Sequence, residues 1–306
     1  MRWLAVGVLA VMMAGWGTAA QMKEPTAAEV EKMKAAAPEG PQVAPQKARK
    51  VLVFSISWGF KHDSIPYGRK VFEILGTKSG AYEPVISDDI SNFEPGKLAQ
   101  FDAVIFNNTN NEIFLPEEVD KLPAEEQGRA RQRDEQLKKS FVEWLSGGKG
   151  LMVVHAGVAS FRLWPEYGNI VGARFENHPW GSGSTVFLKV DDPANPAAAA
   201  LRGWDLKVRD EIYQMAVPYS RENLRVLLSL DTGKTDMTKK GIVRKDGDFA
   251  MSWIKSYGKG RVFYNAFGHD HDIFWNPVVL RHWLDGIQFA TGDLQADATP
   301  SAKVAK

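Results

Sequence analysis

Cysteine is absent from the 306 residues of this chain. Its absence excludes thiol nucleophiles, cysteine metal sites and disulfide bonds, so the core and any bound ligands must stabilise the fold. Histidine is scarce as well, with six residues in the whole chain. The position of each histidine is therefore informative about the chemistry that remains open to the protein.

The chain also lacks an excess of charge of either sign, and it has few long apolar runs. The formal net charge is +1, and this balance indicates neither a nucleic-acid partner nor an anionic membrane partner. Beyond residue 20 the sequence has no apolar stretch that is long enough for a membrane helix. Hydrophobic residues make up 44% of the chain, which is enough for one large domain or two small ones.

The two ends differ in composition from the middle. Residues 1–20 combine a positive start, an apolar stretch at Leu4–Met13 and small residues at the end, which is typical of a signal peptide. We therefore expect a periplasmic or secreted protein. Residues 21–49 are rich in alanine and proline and predict a linker with a short helix near 27–36. Residues 292–306 predict a disordered tail.

Residues 50–154 alternate between apolar runs and helical patterns. Unbroken apolar runs that are bounded by polar turns indicate strands buried on both faces. Such runs predict strands at 51–56, 82–87, 101–106 and 151–154. Apolar periodicity predicts helices from Pro66 to Gly76 and within 117–146. The alternation predicts a doubly wound, mostly parallel α/β sheet.

The second half of the chain is β-rich. Apolar segments between turn signals predict strands at 186–190, 206–213, 224–230, 249–254 and 260–267. A turn-rich stretch at 231–248 predicts a surface hairpin. Asn276 and Pro277 open a final amphipathic helix at 278–291.

The stretch Gly150–Gly157 organises these predictions. It runs from glycines through four apolar residues to His155, so His155 stands at the carboxyl end of a strand in the middle of the sheet. His62 follows the first strand, in a loop that opens at the same edge of an α/β sheet. These positions favour a shared site. The alternative is that each imidazole only packs within its own loop.

Two other segments hold histidines in polar surroundings. His178 precedes Pro179, which restricts it to extended geometry, and a rigid turn is the alternative reading. His269 lies in a stretch, 268–272, where histidines and aspartates alternate. That spacing is able to place two metal ligands on one side of an extended segment.

Asp210 and Glu211 interrupt the strand predicted at 206–213. At least one of the two carboxylates must face the buried side, where an unpaired charge is costly. We therefore expect it to have a partner, which is an arginine, a histidine, a metal or a substrate. An internal salt bridge with Arg174, Arg209 or Arg261 is the structural alternative.

Several chemistries are excluded by missing motifs. The sequence has no G-x-S-x-G elbow and no G-x-G-x-x-G turn before a helix, so we expect no nucleotide cofactor. Tryptophan is abundant, with ten residues. Trp58, Trp164 and Trp180 lie in or near the loops described above and are candidates for stacking on a sugar ring. Ordinary packing is the alternative for each of them.

Four ordered segments together resemble the trehalose-utilisation (ThuA-like) family. The segments are Gly59–Pro66, Gly150–Ala156 with Trp164, Tyr167, Gly172, Ala173, Phe175, His178 and Pro179, then Asp210–Tyr213, and finally Trp253 with Tyr257–Tyr264, Gly268 and His269. The resemblance covers residues 50–291. It implies a flavodoxin-like domain of the class I glutamine amidotransferase-like type, and a role in sugar utilisation that includes disaccharides and 3-keto-glycosides. Amidotransferase activity itself is excluded, because there is no cysteine.

Two functions follow as hypotheses. The first is an enzyme (a hydrolase, lyase or isomerase) that acts on a disaccharide or an oxidised, 3-keto, glycoside by histidine acid/base chemistry. Its expected catalytic residues are His62, His155, Asp210, Glu211 and His269. A divalent metal, with zinc favoured, would be held by His62, His155 and His269.

The second hypothesis is a non-catalytic, exported carbohydrate-binding protein. It would bind a small-molecule sugar with Trp58, Trp164 and Trp180, and His178 would shape the site in either case. Convergence of His62, His155 and His269 in one cleft would favour the enzyme. A structural partner domain of a sugar dehydrogenase is a third reading and predicts a large apolar surface patch. The oligomeric state stays open.

Overall fold

The fold is built on a nine-stranded β-sheet. The computed structural model describes residues 22–304. The signal peptide predicted at 1–20 lies outside the described residues. Within the described part of the chain, no helix has the length and the apolar character to cross a bilayer.

The first half of the chain alternates between strands and helices. Its elements are α1 Ala27–Ala36, β1 Lys50–Phe54, α2 Ile65–Ser79, β2 Glu83–Ile86, α3 Pro95–Leu98, β3 Ala103–Asn107, α4 Ala124–Ser146 and β4 Gly150–Val154.

The second half is dominated by strands and ends in a long helix. Its elements are α5 Pro165–Val171, β5 Arg174–Trp180, β6 Thr185–Val190, β7 Lys207–Arg209, β8 Ile212–Ala216, β9 Arg225–Leu230, β10 Ala250–Tyr257, β11 Gly260–Asn265 and α6 Pro277–Thr291.

The sheet has the order β2-β1-β3-β4-β11-β10-β9-β6-β7. Strands β2, β1, β3, β4 and β11 are parallel to their neighbours in this group, and their order is that of the flavodoxin-like fold. The remaining strands continue the sheet in antiparallel pairs. The α/β, flavodoxin-like doubly wound architecture and the β-rich second half are confirmed.

The register of the parallel strands aligns their carboxyl ends. Phe54 of β1 pairs with Phe106 of β3, and Val154 of β4 pairs with Asn107 on one side and Asn265 on the other. The loops after β1, β3, β4 and β11 therefore leave the sheet at one edge. In open α/β sheets this edge is where ligands bind.

The central strands are buried on both faces, as the sequence pattern predicts. Every residue of β3 and β4 is buried, and α6 packs against β11, β4 and β3. At Gly150 the backbone of α6 comes so close that a Cβ atom would lie 2.1 Å from the carbonyl oxygen of Ala290. Glycine is thus required where the strand enters the sheet.

The segments predicted as a linker and a tail lie against the domain. Helix α1 packs on α2, and Met33 within it is fully buried. Arg49 is joined to Asp293 through its Nε atom at 2.9 Å, beyond the end of α6. Farther along, the Ser301 amide donates to the Leu224 carbonyl at 2.8 Å. Burial of these contacts stabilises both segments on the core.

Two strand predictions in the second half differ from the structure. The segment 206–213 is divided into β7 and β8, which belong to different sheets, because Asp210 and Glu211 leave the ladder between them. The stretch 231–248 contains turns and no strand, so it is not a hairpin. A strand that the sequence pattern missed, β5, pairs with β8.

Replacing Gly150 by alanine should destabilise the protein by about 1–3 kcal/mol, because the added Cβ atom overlaps the α6 backbone. The matched control is Gly128→Ala in α4, where nothing lies within 4 Å of an added Cβ atom. That change should stabilise by about 0.5–1 kcal/mol through helix propensity. The midpoints of urea unfolding curves measure the change in stability of each variant relative to the native sequence. Equal midpoints for the two variants would contradict the close approach.

Candidate active site

Three histidines from different strand ends meet at the carboxyl edge of the sheet. The ring centroids of His62 and His155 are 5.1 Å apart, those of His62 and His269 are 5.2 Å apart, and those of His155 and His269 are 5.6 Å apart. His62 and His155 are buried, and His269 is partly exposed. The predicted convergence of these three residues is what the structure shows.

His155 is held in a constrained position at the end of β4. Its φ is 45°, in the left-handed region that few residues other than glycine adopt. Such a conformation costs about 1–3 kcal/mol and persists where the surroundings enforce it. The ring Nδ1 lies 2.7 Å from the Ala266 carbonyl oxygen, which fixes the ring plane and turns Nε2 toward the cluster. The imidazole is therefore placed before any ligand binds.

Glu211 lies at the centre of the histidine cluster. Its Oε2 atom is 3.5 Å from His155 Nε2 and 3.7 Å from His269 Nε2, and its Oε1 atom is 2.9 Å from His178 Nδ1. All three contacts lie within charge-pair distance, and the contact with His178 is the shortest. A single carboxylate thus faces three imidazoles, and His178 itself is exposed at the mouth of the site.

Asp210 has a different role from its neighbour. Its carboxylate is fully buried and accepts hydrogen bonds from the backbone N–H groups of Gly268 at 2.8 Å, His269 at 3.1 Å and Asp270 at 2.7 Å. Both carboxylates are buried, and the partner of Asp210 is backbone rather than an arginine, a histidine, a metal or a substrate. Asp210 therefore positions the His269 loop against Glu211.

Asn108 is a positioning residue that the sequence reasoning missed. Its side-chain Nδ2 donates to the Gly268 carbonyl at 2.9 Å, and its Oδ1 accepts from the Ala156 amide at 3.2 Å. The Ser64 hydroxyl donates to the same Gly268 carbonyl at 2.7 Å. The loops that follow β1, β3, β4 and β11 are joined in this way. The signal available in the sequence was that β3 ends in the polar run Asn107–Thr109.

A cavity of about 250 Å³ opens beside the cluster. Aromatic side chains form much of its wall, and its lining residues are Phe60, His62, Asn110, Ala156, Ala159, Arg162, Phe175, His178, Glu211 and Tyr213. The Tyr213 ring lies 4.2 Å from the His155 ring, and its hydroxyl is 3.4 Å from His62 Nε2. Tyr213 follows Glu211 by two residues. Because side chains two positions apart in a strand point to the same side, the sequence could have indicated that these two residues face the same space.

The three tryptophans named as sugar platforms do not line this cavity. Trp180 is 1% exposed, and its Nε1 donates to the Asp236 carbonyl at 2.9 Å. Trp58 is partly buried and donates to the Leu115 carbonyl at 3.0 Å. Trp164 packs edge-on against Phe161. The aromatic faces next to the histidines belong instead to Phe60, Phe175 and Tyr213.

Burial decides the protonation of the cluster. It lowers the pKa of His62 to about 2, and the neighbouring imidazoles add to that shift. Burial also lowers the pKa of His155. Burial alone would raise the pKa of Glu211, but the imidazoles around this carboxylate hold its pKa below the usual range. The site at neutral pH is therefore an ionised carboxylate with neutral imidazoles at its buried side.

Two other groups have raised pKa values. Burial raises the pKa of the Tyr213 hydroxyl well above its usual range, so the hydroxyl stays protonated and is able to donate a hydrogen bond. Burial also raises the pKa of Asp210, and the backbone N–H groups that it accepts from oppose the rise.

The side chains at this edge include a plausible ligand set for a metal ion. One donor atom each from His62, Glu211 and His269 lies within 4.8 Å of the other two. His62 Nδ1 is buried without a hydrogen-bond partner, as expected for an imidazole nitrogen that is free to ligate. Two histidines and a glutamate form a set found in catalytic zinc sites. His155, which the sequence reasoning included, is not in this set, and Glu211 takes its place.

Acid should destabilise the protein through these histidines. An unfolded histidine titrates near pH 6.5, whereas folded His62 stays neutral down to about pH 2. The unfolded state then binds more protons, so stability falls as pH decreases below about 6.5, by up to about 1.4 kcal/mol per pH unit for each such histidine.

Urea unfolding of His62→Gln between pH 7.5 and pH 5 should show a shallower loss of stability than the native sequence shows. Tyr213→Phe is the control, because that hydroxyl does not titrate in this range. An unchanged slope in His62→Gln would show that His62 is not held neutral.

Comparisons with known proteins agree with this architecture. A family model described as "ThuA: Trehalose utilisation" matches residues 50–290. The fold resembles that of a ThuA-like protein from Bacteroides uniformis, with a TM-score of 0.60 and 20% identity over 85% of this chain and 97% of that one. It also resembles a cytoplasmic protein from Salmonella typhimurium, with a TM-score of 0.51 and 12% identity over 79% of this chain and 98% of that one.

The comparison with curated proteins finds no match. The two solved structures share the fold at low identity and carry no information on activity. The family model, in contrast, covers the parallel sheet, the histidine cluster and the final helix in one match. The chain therefore belongs to the ThuA family of trehalose utilisation proteins.

Proposed function

We propose that this protein is an enzyme that acts on a sugar by proton transfer between its histidine and carboxylate side chains and the substrate. The observation that carries the proposal is the convergence of His62, His155 and His269 on one carboxylate, Glu211, beside a cavity. Perturbed titratable groups that cluster in a cleft are typical of catalytic sites. The family supports a sugar as the substrate class.

The proposed reaction is proton abstraction from the carbon next to the carbonyl of an oxidised, 3-keto, glycoside. The C–H electron pair moves toward the carbonyl and forms an enolate, and the proton passes to the pair formed by Glu211 and His178. This pair is joined at 2.9 Å and reaches solvent at His178. The protonated Tyr213 hydroxyl would donate a hydrogen bond to the developing oxyanion. Hydrolysis of a disaccharide is the second reaction that these groups could serve.

The cavity is suited to a small ring. Its volume of about 250 Å³ lies just below the range of about 300–1,000 Å³ that is common for small-molecule sites, so it fits one sugar unit better than two. Phe60, Phe175 and Tyr213 supply apolar faces for a sugar ring.

A divalent metal, with zinc favoured, would be held by His62, Glu211 and His269. When bound, it would polarise a carbonyl or a water molecule. The neutral state of His62 supports this role, because an imidazole ligates only when it is unprotonated. We propose no nucleotide cofactor. We also propose that residues 1–20 direct export, so that the mature protein works in the periplasm or outside the cell.

A carbohydrate-binding protein without catalysis is less well supported. That function relied on Trp58, Trp164 and Trp180 as stacking platforms, and none of them lines the cavity beside the histidines. Binding of sugars without turnover over a broad panel would favour it.

Turnover should depend on the histidine cluster. The mature protein is incubated with 3-keto-glycosides and disaccharides, and product is followed by chromatography. Glu211→Gln should lower kcat by about 10²–10⁴-fold, which is the usual effect of removing a general acid/base group. The double variant His62→Ala/His155→Ala should abolish turnover, because these two rings surround Glu211. His271→Gln is the control, since that ring stacks on Tyr67 outside the cavity. Turnover that survives in the double variant His62→Ala/His155→Ala would refute the assignment.

Metal content tests the ligand set separately. Mass spectrometry of the dialysed native protein should find about one zinc ion per chain. Glu211→Gln and His62→Ala should lose that ion, whereas His271→Gln should retain it. A native protein without stoichiometric metal, or variants that bind as much as the native protein, would refute the proposed ligands. Loss of turnover on chelation would connect the metal with activity.

A further inference from the structure

A second cavity lies next to the first and shares part of its wall. Its volume is about 240 Å³, and it shares Ala159, Arg162 and Phe175 with the cavity beside the histidines. The Phe175 ring lies 4.6 Å from the Tyr213 ring and also lines the second cavity. A ligand longer than one sugar ring would therefore extend from the histidines along Phe175 into this second space.

Two arginines line the second cavity without a partner of opposite charge. Within residues 22–304, neither Arg162 nor Arg174 makes an ion pair within 4.0 Å or a side-chain hydrogen bond. The Nη2 atom of Arg174 is buried and unpartnered. The Arg162 guanidinium is exposed and lies over the Phe175 ring at 5.6 Å. An unsatisfied buried donor costs about 1–3 kcal/mol, and a bound anion would provide the acceptor that it lacks.

The hydroxyl groups of this cavity are already occupied. The Tyr167 hydroxyl donates to the Gly157 carbonyl at 2.6 Å, and the Ser160 hydroxyl is 2.7 Å from that of Thr109. Glu176 is the one carboxylate in the lining, and its side chain is exposed. With two arginines and one glutamate, the charged side chains of the lining have a net positive charge.

The backbone provides space for Arg174. Its side chain crosses α5 at Gly168, where an added Cβ atom would lie 2.9 Å from Arg174 Nε. A larger residue at position 168 would push the guanidinium out of the cavity lining. The position of the charge is therefore built into the packing of α5 against β5.

We propose that this second cavity is an anion subsite, in which Arg162 and Arg174 bind a carboxylate or phosphate group carried by the sugar substrate. The inference rests on the proposed function, because it places the reacting ring at the histidines and the anionic end at the arginines. A guanidinium presents a planar fork of donors that matches both anions. The favoured substrate is thus an acidic glycoside rather than a neutral one.

Calorimetric titration with glucose, glucuronate and glucose 6-phosphate tests the subsite. Charge-assisted bonds to arginine should make at least one anionic probe bind about tenfold more tightly than glucose. The stronger of the two anions identifies whether the group is a carboxylate or a phosphate. Arg162→Gln, which changes an exposed side chain, should abolish the preference, measured as the ratio of the Kd values for glucose and for the anion. Arg174→Lys keeps the charge but loses the fork, and should reduce the preference.

Arg129→Gln is the matched control, because it removes one positive charge from the exposed face of α4. The proposal is overturned if no probe binds, if the anions bind no better than glucose, or if Arg129→Gln lowers anion binding as much as Arg162→Gln does. Failure of the enzyme proposal gives a different result: anion preference would remain sensitive to Arg162, while the double histidine variant would have no effect on turnover.

Discussion

The buried carboxylate of Asp210 is the interaction on which the site depends. By accepting from three successive backbone N–H groups, at Gly268, His269 and Asp270, it closes the loop after β11 against the segment between β7 and β8. The parallel sheet alone would bring together the histidines that follow its strands. Glu211 comes from the antiparallel half of the chain. Its neighbour Asp210 anchors it beside the histidines by binding the loop after β11. Without this contact the cluster would consist of imidazoles and no carboxylate.

Burial has opposite effects on the groups of this cluster. It lowers the pKa values of the His62 and His155 imidazoles. It also acts to raise the pKa of Glu211, but the histidines that contact this carboxylate, His155 foremost, hold that pKa below its usual range. The result is one anion in a mostly buried setting, with unprotonated nitrogen atoms beside it. The left-handed backbone at His155 fits this picture, because a strained residue is retained where the surrounding loops over-determine its position. Asn108 is the side chain that joins those loops.

Two adjacent cavities differ in the chemistry of their walls. The first is lined by His62, His178, Glu211 and aromatic rings, and the second includes two arginines without partners. Phe175 and Arg162 belong to both. Membership of the ThuA family is consistent with a sugar ligand. Under our two proposals, the ligand would react at the first cavity and be recognised at the second. The tryptophans, which composition had favoured, contribute to packing outside the cavity.

Local sequence pattern was sufficient to predict the parallel strands of the first half and the histidines at their carboxyl ends. Short apolar runs such as Leu151–Val154, bounded by glycines and polar residues, favour buried strands, and parallel strands end at one edge, so the placement of His62 and His155 was predictable. The partners of Asp210, the join made by Asn108 and the pair Arg162 and Arg174 were not predictable. They depend on contacts between residues that are far apart in the chain, and the strand period carries no information on which loop faces which. Long-range contacts place Glu211 among the histidines and the three tryptophans outside the cavity. Local pattern does not encode them, because every residue except proline offers the same backbone N–H and C=O groups as partners.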